Sequence, residues 1–254
     1  MSDGIKVSIL VPVYNAELFL VECLDSLMNQ TLQKIEIICI NDGSKDGSLK
    51  IIEKCAKNDK RIRIINKKNS GYGDSMNIGL EKARGEYIGI VEPDDFVDFD
   101  AFKSMYDLAS RYNADIVKGN YYDYYGNSGT DKQVSDMFSS DIVNRVVDPR
   151  IEKNIFYQLP SIWAAIYKRE FLINNKISFL PSPGASYQDV GFSFKTWAVA
   201  RRVYLVKRAF LHYRRDNEKS SVKDSGKIFC VKDEQDCIDR HGKWLEHKKY
   251  CVLY

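Results

Sequence analysis

Short apolar runs alternate with segments of helical periodicity through the first hundred residues. The runs cover residues 7–15, 35–40, 62–65 and 88–91. Apolar runs of this length, bounded by turn residues, predict buried strands, and segments such as 16–29, with apolar residues at helical spacing, predict helices. Asn15 is placed to cap the first helix. The alternation predicts βαβ units, a mostly parallel sheet and right-handed crossovers, and therefore an α/β fold.

The second half of the chain has a looser pattern. It predicts helices at 100–112, at 169–174 and from Asp189 onward, and strands at 114–119, 203–206 and 210–214, with another apolar segment at 161–168. The tyrosines at 121–125 favour a strand, although aromatic rings beside polar groups also stack on sugars. The segment from about Asp233 to the end predicts a cationic amphipathic helix, which could meet a membrane surface or pack on the domain.

Composition is that of a globular protein. Apolar residues make up 44% and charged residues 29% of the 254, which excludes disorder, and no run approaches the roughly 18 apolar residues of a membrane-spanning helix. The net charge of +3 gives no case for nucleic acid binding. Six cysteines without a CxxC pair suit reduced, intracellular thiols, although a disulfide among the last three stays open. No signal peptide is evident, so we expect a cytoplasmic protein.

An acidic cluster follows the fourth predicted strand. Glu92, Asp94 and Asp95 come directly after the apolar run, where open α/β sheets place their ligands. Carboxylates two residues apart in an extended segment point the same way and can bind one hard divalent cation, such as Mn²⁺ or Mg²⁺. The alternative is a turn that leads into the helix near Asp100.

Other candidate residues also follow strands. Tyr14 and Asp42 come after the first two strands, where a nucleotide base could pack on the ring and donate to the carboxylate. Asp42-Gly43 is also a common turn, and Tyr14 could be a half-buried aromatic. In the second half, Asp189 at a helix start could be a general base or could only complement the helix dipole.

Two basic side chains near residue 214 have similar alternatives. His212 could be a metal ligand, although a lone histidine in a strand is usually structural. Arg214 lies in a basic stretch that could close over phosphate or could be a solvated turn.

Several motifs in order resemble the inverting family-2 glycosyltransferases. They are Pro12-Val13-Tyr14-Asn15, the stretch 23–31, Glu36-Ile37 leading to the polar loop 41–48, Asn77-Ile78-Gly79-Leu80, and Gly85-Glu86-Tyr87 through Asp95. The resemblance runs from Ile5 to about Ser221. It implies the GT-A fold, with a Rossmann-like, mostly parallel central sheet, helices on both faces and a smaller C-terminal acceptor-side region.

The resemblance also implies residue roles. Asp189 would be the catalytic base, and Asp94, Glu92 and His212 would hold Mn²⁺ or Mg²⁺. The donor would be bound by Pro12, Tyr14, Asn15, Asp42, Gly43, Asn77, Glu92, Asp95 and Arg214. The sequence departs from the family at Glu92, where aspartate is usual, and at Met76, where many members have arginine.

The implied reaction transfers a sugar from a nucleotide-diphosphate sugar, with UDP the expected nucleotide, to a glycan or lipid-linked acceptor in cell-surface polysaccharide synthesis at the inner face of a membrane. Residues 1–98 would form the donor-binding half, 99–221 the acceptor-side and catalytic-base half, and 222–254 a helical extension.

Two alternatives remain open from the sequence. One is a sugar-phosphate nucleotidyltransferase, although 12–15 lacks the glycine-rich loop that cradles a triphosphate. The other is a binding module whose chemistry has lapsed.

Overall fold

A computed structural model describes residues 4–126, 130–133, 137–182, 184–185 and 188–217. Its strands are β1 (Val7–Val13), β2 (Ile35–Asp42), β3 (Ile62–Lys67), β4 (Tyr87–Ile90), β5 (Phe96–Val97), β6 (Ile116–Tyr125), β7 (Thr130–Gln133), β8 (Val146–Val147), β9 (Ala165–Lys168) and β10 (Val203–Arg214). Its α-helices are α1 (Leu20–Met28), α2 (Ser48–Asn58), α3 (Tyr72–Lys82), α4 (Ala101–Tyr112), α5 (Arg169–Asn174) and α6 (Gln188–Val199). Short 3₁₀ helices cover Lys153–Tyr157 and Ile162–Ala164.

The described strands form one mixed sheet in the order β3-β2-β1-β4-β9-β6-β10-β5, with β7 beside β6 and β8 beside β10. The first four strands in this order are parallel, and so are β6 and β10. Strand β9 runs antiparallel to both β4 and β6 and joins these two parallel parts. The predicted α/β fold with a mostly parallel central sheet is confirmed.

The apolar runs form the centre of this sheet because parallel strands are covered on both faces. Every residue of β1, β2 and β4 is buried. Helix α3 packs on β1 and β2, and α4 packs on β6. Since the strands at this centre are parallel, the loops that follow β1, β2 and β4 meet at one edge of the sheet, which is the edge that the sequence predicts for the ligand site.

A buried carboxylate ties the opposite ends of the same strands together. Glu36 in β2 is 2% exposed and accepts a hydrogen bond from the hydroxyl of its register partner Ser8, at 2.6 Å. It also accepts from the Arg84 guanidinium, at 2.8 and 3.0 Å, and from Arg63 Nη1, at 2.6 Å. Burial alone would raise the pKa of Glu36, but these hydrogen bonds hold it below its ordinary value.

Three local predictions need correction. Residues 203–214 form one strand with register shifts against β6, because pairing with β6 continues past the exposed Lys207 and Arg208. Helix α1 begins at Leu20 and is not capped by Asn15, whose φ of +51° places it in a left-handed turn. The sequence pattern predicts the third helix from Ser75 to Ala83, but α3 begins three residues earlier, at Tyr72. The strand predicted at the tyrosines of 121–125 is confirmed, as part of β6.

Some predictions concern residues outside the described ranges. These are the helical extension at 222–254, the last three cysteines and most of the turn at 126–129. Within the described ranges, Cys23, Cys39 and Cys55 carry free thiols. No helix there combines the length and the apolar composition that crossing a bilayer requires.

Candidate active site

The acidic loop, residues 92–95, begins where β4 ends and turns sharply back towards β5. The Asp95 amide donates to the Glu92 carbonyl at 3.1 Å, which closes the turn. The Asp95 side chain is 1% exposed, and its Oδ1 accepts from the Arg214 amide at 2.9 Å. Its Oδ2 is buried without a hydrogen-bond partner among the described residues. Burial, followed by the charge of Asp94, raises the pKa of Asp95 well above its ordinary value.

Arg214, at the end of β10, braces this loop from the second half of the chain. Its Nε donates to the Asp94 carbonyl at 2.9 Å, and its guanidinium forms an ion pair with Glu22 of α1. The same guanidinium lies 4.5 Å from the ring centre of Phe19 and 4.8 Å from that of Tyr124. Cation–π contacts of this kind favour a fixed orientation. In the described state, Arg214 therefore holds the acidic loop in place and is itself only 6% exposed.

Glu92 lies deeper than the sequence suggests. Its Oε1 accepts a hydrogen bond of 2.6 Å from the Tyr72 hydroxyl, at the first residue of α3. Burial raises the pKa of Glu92 to about 8, with smaller contributions from Asp94 and Asp189 against the opposing effect of Tyr72. Asp94 is half-buried, and its Oδ2 accepts from the side-chain amide of Asn217 at 2.8 Å.

Asp42, at the end of β2, organises the neighbouring loop. Its Oδ1 accepts from Lys67 Nζ at 2.5 Å and from the Ser70 amide at 2.9 Å, and its Oδ2 accepts from the Gly71 amide at 3.0 Å. Gly43, beside it, has a φ of +68°, and a Cβ there would lie 2.8 Å from the Asn69 amide nitrogen. Only glycine fits this turn, so the Asp42-Gly43 pair shapes the loop whatever else it binds.

The remaining predicted donor residues take varied positions. Pro12 is buried in β1, whereas Tyr14 is 49% exposed and therefore available to a ligand. The Asn15 side chain accepts from the Lys45 amide at 2.8 Å and so joins the loops after β1 and β2. Asn77 makes two hydrogen bonds to the Phe179 backbone, at 2.8 and 2.9 Å, which commits both ends of its amide to the protein.

Asp189 comes to the same edge from the distal half of the chain. It lies in the first turn of α6, and its Oδ1 accepts from the Val190 amide at 3.0 Å. Burial raises the pKa of both Glu92 and Tyr72, and the charge of Asp189 adds a smaller contribution to each shift. The structure thus brings the predicted base together with the acidic loop, although 94 residues separate Asp189 from Asp95 in sequence.

The described contacts of His212 include those with Asp98 and two aromatic rings. Its Nε2 lies 3.0 Å from Asp98 Oδ1, and its ring is stacked between Phe96, at 4.3 Å, and Tyr122, at 4.8 Å. The described structure therefore gives no geometric support to the predicted set of Glu92, Asp94 and His212. The pairing of β10 with β5 explains the position of the ring. His212 is the register partner of Phe96, and Asp98, two residues after Phe96, meets the imidazole.

The acidic loop nevertheless fits a hard cation. Among the described residues, no three acidic, histidine or cysteine side chains are grouped so as to enclose a metal ion. Mg²⁺ and similar ions usually need only one or two carboxylates, because substrate phosphates and water supply the remaining oxygens. Asp94 and Glu92 offer such oxygens, and the buried Oδ2 of Asp95, which has no hydrogen-bond partner among the described residues, lies in the same turn. These residues suit a cation that binds together with a diphosphate.

Two contacts at this site escape sequence reasoning. Tyr72 follows a glycine in a polar loop, and Glu22 lies on a helix whose apolar positions mark it only as core-facing. Neither residue belongs to a strand end, which is the signal that finds Asp42 and the acidic loop. A pattern along the chain cannot show that Tyr72 reaches Glu92, 20 residues away, or that Glu22 reaches Arg214, 192 residues away.

Comparison with known proteins agrees with this geometry. Residues 8–174 match the model of the family described as Glycosyl transferase family 2. The chain belongs to glycosyl transferase family 2. Within the family it is 34% identical over 224 residues to the uncharacterized glycosyltransferase EpsJ of Bacillus subtilis (strain 168), covering 82% of this chain and 60% of EpsJ. It is 32% identical over 218 residues to the glycosyltransferase GlyG of Streptococcus pneumoniae serotype 4 (strain ATCC BAA-334 / TIGR4), covering 82% of this chain and 70% of GlyG.

Solved structures show the same fold. The crystal structure of S. aureus TarS 1-349 in complex with UDP-GlcNAc superposes with a TM-score of 0.72 at 23% identity, covering 86% of this chain and 61% of that one. This family 2 chain therefore has the GT-A fold. It spans about three fifths of the length of EpsJ, so its relatives carry further sequence beyond the matched region.

Proposed function

We propose that this chain is the catalytic region of an inverting, metal-dependent glycosyltransferase. It transfers a hexose or N-acetylhexosamine from a UDP-sugar to a hydroxyl of a glycan or lipid-linked acceptor. One observation supports this above the others, namely that Tyr72 bonds both to Glu92 of the acidic loop and to Gly184 in the segment that leads into α6, where Asp189 lies in the first turn. A base beside a diphosphate site is the arrangement that a single displacement needs, and family membership agrees with it.

Asp189 is the base in this proposal. Its carboxylate takes the proton of the acceptor hydroxyl while that oxygen attacks the anomeric carbon of the donor. The bond between the anomeric carbon and the diphosphate oxygen breaks on the opposite face, UDP leaves with the bonding electrons, and the configuration inverts. Proton transfer by a positioned carboxylate contributes on the order of 100-fold or more to the rate. Asp189 lies in the first turn of α6, and this position supports the assignment.

Asp94 and Glu92 would hold Mn²⁺ or Mg²⁺, which neutralises charge on the departing diphosphate. The chain's own contribution is to keep these carboxylates in place. Arg214 binds the Asp94 carbonyl, and the Arg214 amide holds Asp95 Oδ1, so the loop is fixed before a donor arrives. Preorganised groups of this kind are worth more than groups that must reorganise during the reaction.

The uridine would lie beside Asp42 and the exposed ring of Tyr14. Asp42 already fixes the 69–71 loop through two backbone amides, so its carboxylate is held rigidly for a base or ribose to contact. UDP is our choice of nucleotide because TarS, which shares the fold, binds UDP-GlcNAc. Cell-surface polysaccharide synthesis at the inner face of the membrane is the setting we propose, with peripheral attachment as part of that hypothesis.

The test combines binding with turnover. Thermal unfolding is measured with UDP-glucose, UDP-galactose, UDP-GlcNAc and UDP, each with and without Mn²⁺ or Mg²⁺, because a ligand that binds only the folded state raises its stability. Donor turnover is then followed by release of UDP. We expect metal-dependent stabilisation by one UDP-sugar. Asp189→Asn should keep that stabilisation and lose at least 100-fold in turnover.

Asp107→Asn is the matched control. Asp107 is an exposed aspartate on α4 that pairs with Lys103, and it should change neither measurement. Asp94→Ala should lose the metal-dependent part of the stabilisation. If Asp189→Asn abolishes donor binding as strongly as turnover, Asp189 belongs to the donor site and the assignment of the base is wrong. If no nucleotide stabilises the folded wild-type protein, the proposed function is wrong.

A further inference from the structure

Tyr72 makes a contact that none of the roles above explains. Its hydroxyl donates to Glu92 Oε1 at 2.6 Å, a short hydrogen bond between a neutral donor and a carboxylate. The ring meets Phe179 edge-on, with centroids 6.0 Å apart. Phe179 stacks in turn on Phe192 of α6, at 4.2 Å. Tyr72 is thus held by aromatic packing on one side and meets the acidic loop with its hydroxyl.

The backbone around Tyr72 is equally constrained. Gly71 has a φ of +100°, and a Cβ there would lie 2.6 Å from the Ser182 carbonyl oxygen. At Gly73, a Cβ would lie 1.9 Å from the Leu180 carbonyl oxygen, so no larger residue fits. The Tyr72 amide itself donates to the Gly184 carbonyl at 2.9 Å. The start of α3 is therefore pressed against the segment that leads into α6 and Asp189.

The same loop is tied to the predicted nucleotide pocket. Asp42 holds the amides of Ser70 and Gly71, the two residues immediately before Tyr72. Tyr72 consequently lies where three parts of the site meet. These are the loop fixed by Asp42, the acidic loop, and the segment that leads into α6, which carries Asp189. A side chain at such a junction can transmit the position of one part to another only through a specific contact, and the hydrogen bond to Glu92 is that contact.

We propose that Tyr72 is a positioning residue for glycosyl transfer, which acts by fixing the carboxylate of Glu92 towards the donor diphosphate. The hydrogen bond commits Oε1 of Glu92 to the protein and leaves Oε2 as the oxygen that faces a cation or phosphate. Glutamate has one more rotatable side-chain bond than aspartate, so its carboxylate needs an anchor that a shorter acid would not. Tyr72 supplies that anchor. This inference rests on the proposed function.

Tyr72→Phe tests it, because phenylalanine keeps the ring packing on Phe179 and removes only the hydroxyl. A hydrogen bond to a charged group contributes enough for its loss to weaken binding about 10- to 100-fold. We expect the affinity for UDP with Mn²⁺, measured by calorimetry, to fall at least 10-fold. The KM for the donor should rise similarly, while kcat at saturating donor changes less than threefold, because the base is untouched.

Two further variants separate positioning from a general structural effect. Tyr106→Phe removes a tyrosine hydroxyl that donates to Glu86 at 2.8 Å, away from the site, and it should leave UDP affinity unchanged. In a Glu92→Ala background, adding Tyr72→Phe should cause no further loss of affinity, since Tyr72 acts through Glu92. If Tyr72→Phe lowered the affinity for UDP by disturbing the packing of the ring, it would do so in the Glu92→Ala background as well. The double variant therefore separates an effect through Glu92 from an effect on packing.

The outcomes distinguish this inference from the function on which it rests. If wild type binds UDP with metal and turns over a donor, and Tyr72→Phe matches it, the positioning role is wrong and the function stands. An equal loss in the presence and absence of Glu92 would also overturn it. If wild type shows no metal-dependent binding of UDP, both proposals fall together.

Discussion

Lys118 gives the sharpest test of the described core. It lies in β6, is 2% exposed, and its Nζ donates to the carbonyl and the hydroxyl of Ser161, at 2.5 and 2.7 Å. Both acceptors are neutral. Burial of the ammonium lowers the pKa of Lys118 from 10.5 to about 7. Each unit by which the folded-state pKa of Lys118 lies below its ordinary value corresponds to about 1.4 kcal/mol. Burying the charged form of Lys118 therefore costs up to about 5 kcal/mol of folding free energy.

The sign follows from proton binding. Between pH 7 and pH 10.5 the unfolded chain keeps the proton on Lys118 while the folded protein has lost it, so the stability of the wild type rises with pH in that window. Below pH 7 both states are charged and the cost is present in full. Lys118→Met keeps a side chain of similar length without the charge, and it removes this dependence. Replacing a buried charge by an apolar residue of similar volume is often stabilising.

Urea unfolding at pH 7, 8, 9 and 9.5 measures the effect. We expect Lys118→Met to be most favourable relative to wild type at pH 7, and its advantage to fall by about 1 kcal/mol for each pH unit above 7. Lys103→Met is the control, because Lys103 is exposed on α4, and its difference from wild type should stay constant. Parallel stability profiles for Lys118→Met and wild type would refute the reasoning, since they would mean that Lys118 titrates alike in both states.

Three further variants probe other parts of the structure. Glu36→Gln should lose about 3 kcal/mol of stability at pH 7 in urea unfolding. The pKa of Glu36 is lowered on folding, so this deficit should shrink as the pH falls through and below 4.5, and a deficit independent of pH would contradict the role of its charge. Gly73→Ala should lower the melting temperature by several degrees, because its Cβ meets the Leu180 carbonyl. Gly4→Ala is the control, because a Cβ there meets open space. Equal melting temperatures for the two variants would contradict the close approach at Gly73. His212→Asn should leave the Mn²⁺ concentration needed for UDP binding within about twofold of wild type, because the His212 ring bonds to Asp98. A loss like that of Asp94→Ala would contradict this expectation and support His212 as a ligand.

The strands of the parallel half could be predicted because burial on both faces makes them continuous apolar runs. Tyr14, Asp42 and the acidic loop follow from the same signal, since each comes directly after such a run. The start of α1 could not be read in this way, because Asn15 favours both a helix cap and a left-handed turn, and contacts with the loop after β2 decide for the turn.

Long-range partners were hidden for a different reason. The pattern around His212 is that of any strand residue, and only the register of β10 against β5 shows that its ring faces Phe96 and Asp98. Glu92 likewise reads as an exposed acid in a turn. Its partner Tyr72 begins α3, 20 residues earlier in the chain, and the pattern around Glu92 does not indicate that contact.

The brace between Arg214 and the acidic loop has a consequence for the order of folding. Arg214 meets Asp95 across 119 residues of chain, and β10 lies beside β6 although α5 and α6 separate them in sequence. Contacts between such distant residues form late, because closing a long loop costs entropy before any contact is gained. During synthesis, the parallel half can assemble while β10 is still inside the ribosome. Asp94 and Asp95 lack their hydrogen bonds with Arg214 until residue 214 emerges. The acidic loop is therefore braced only at the end of translation of this region, well after the loops that follow β1 and β2 have their shape.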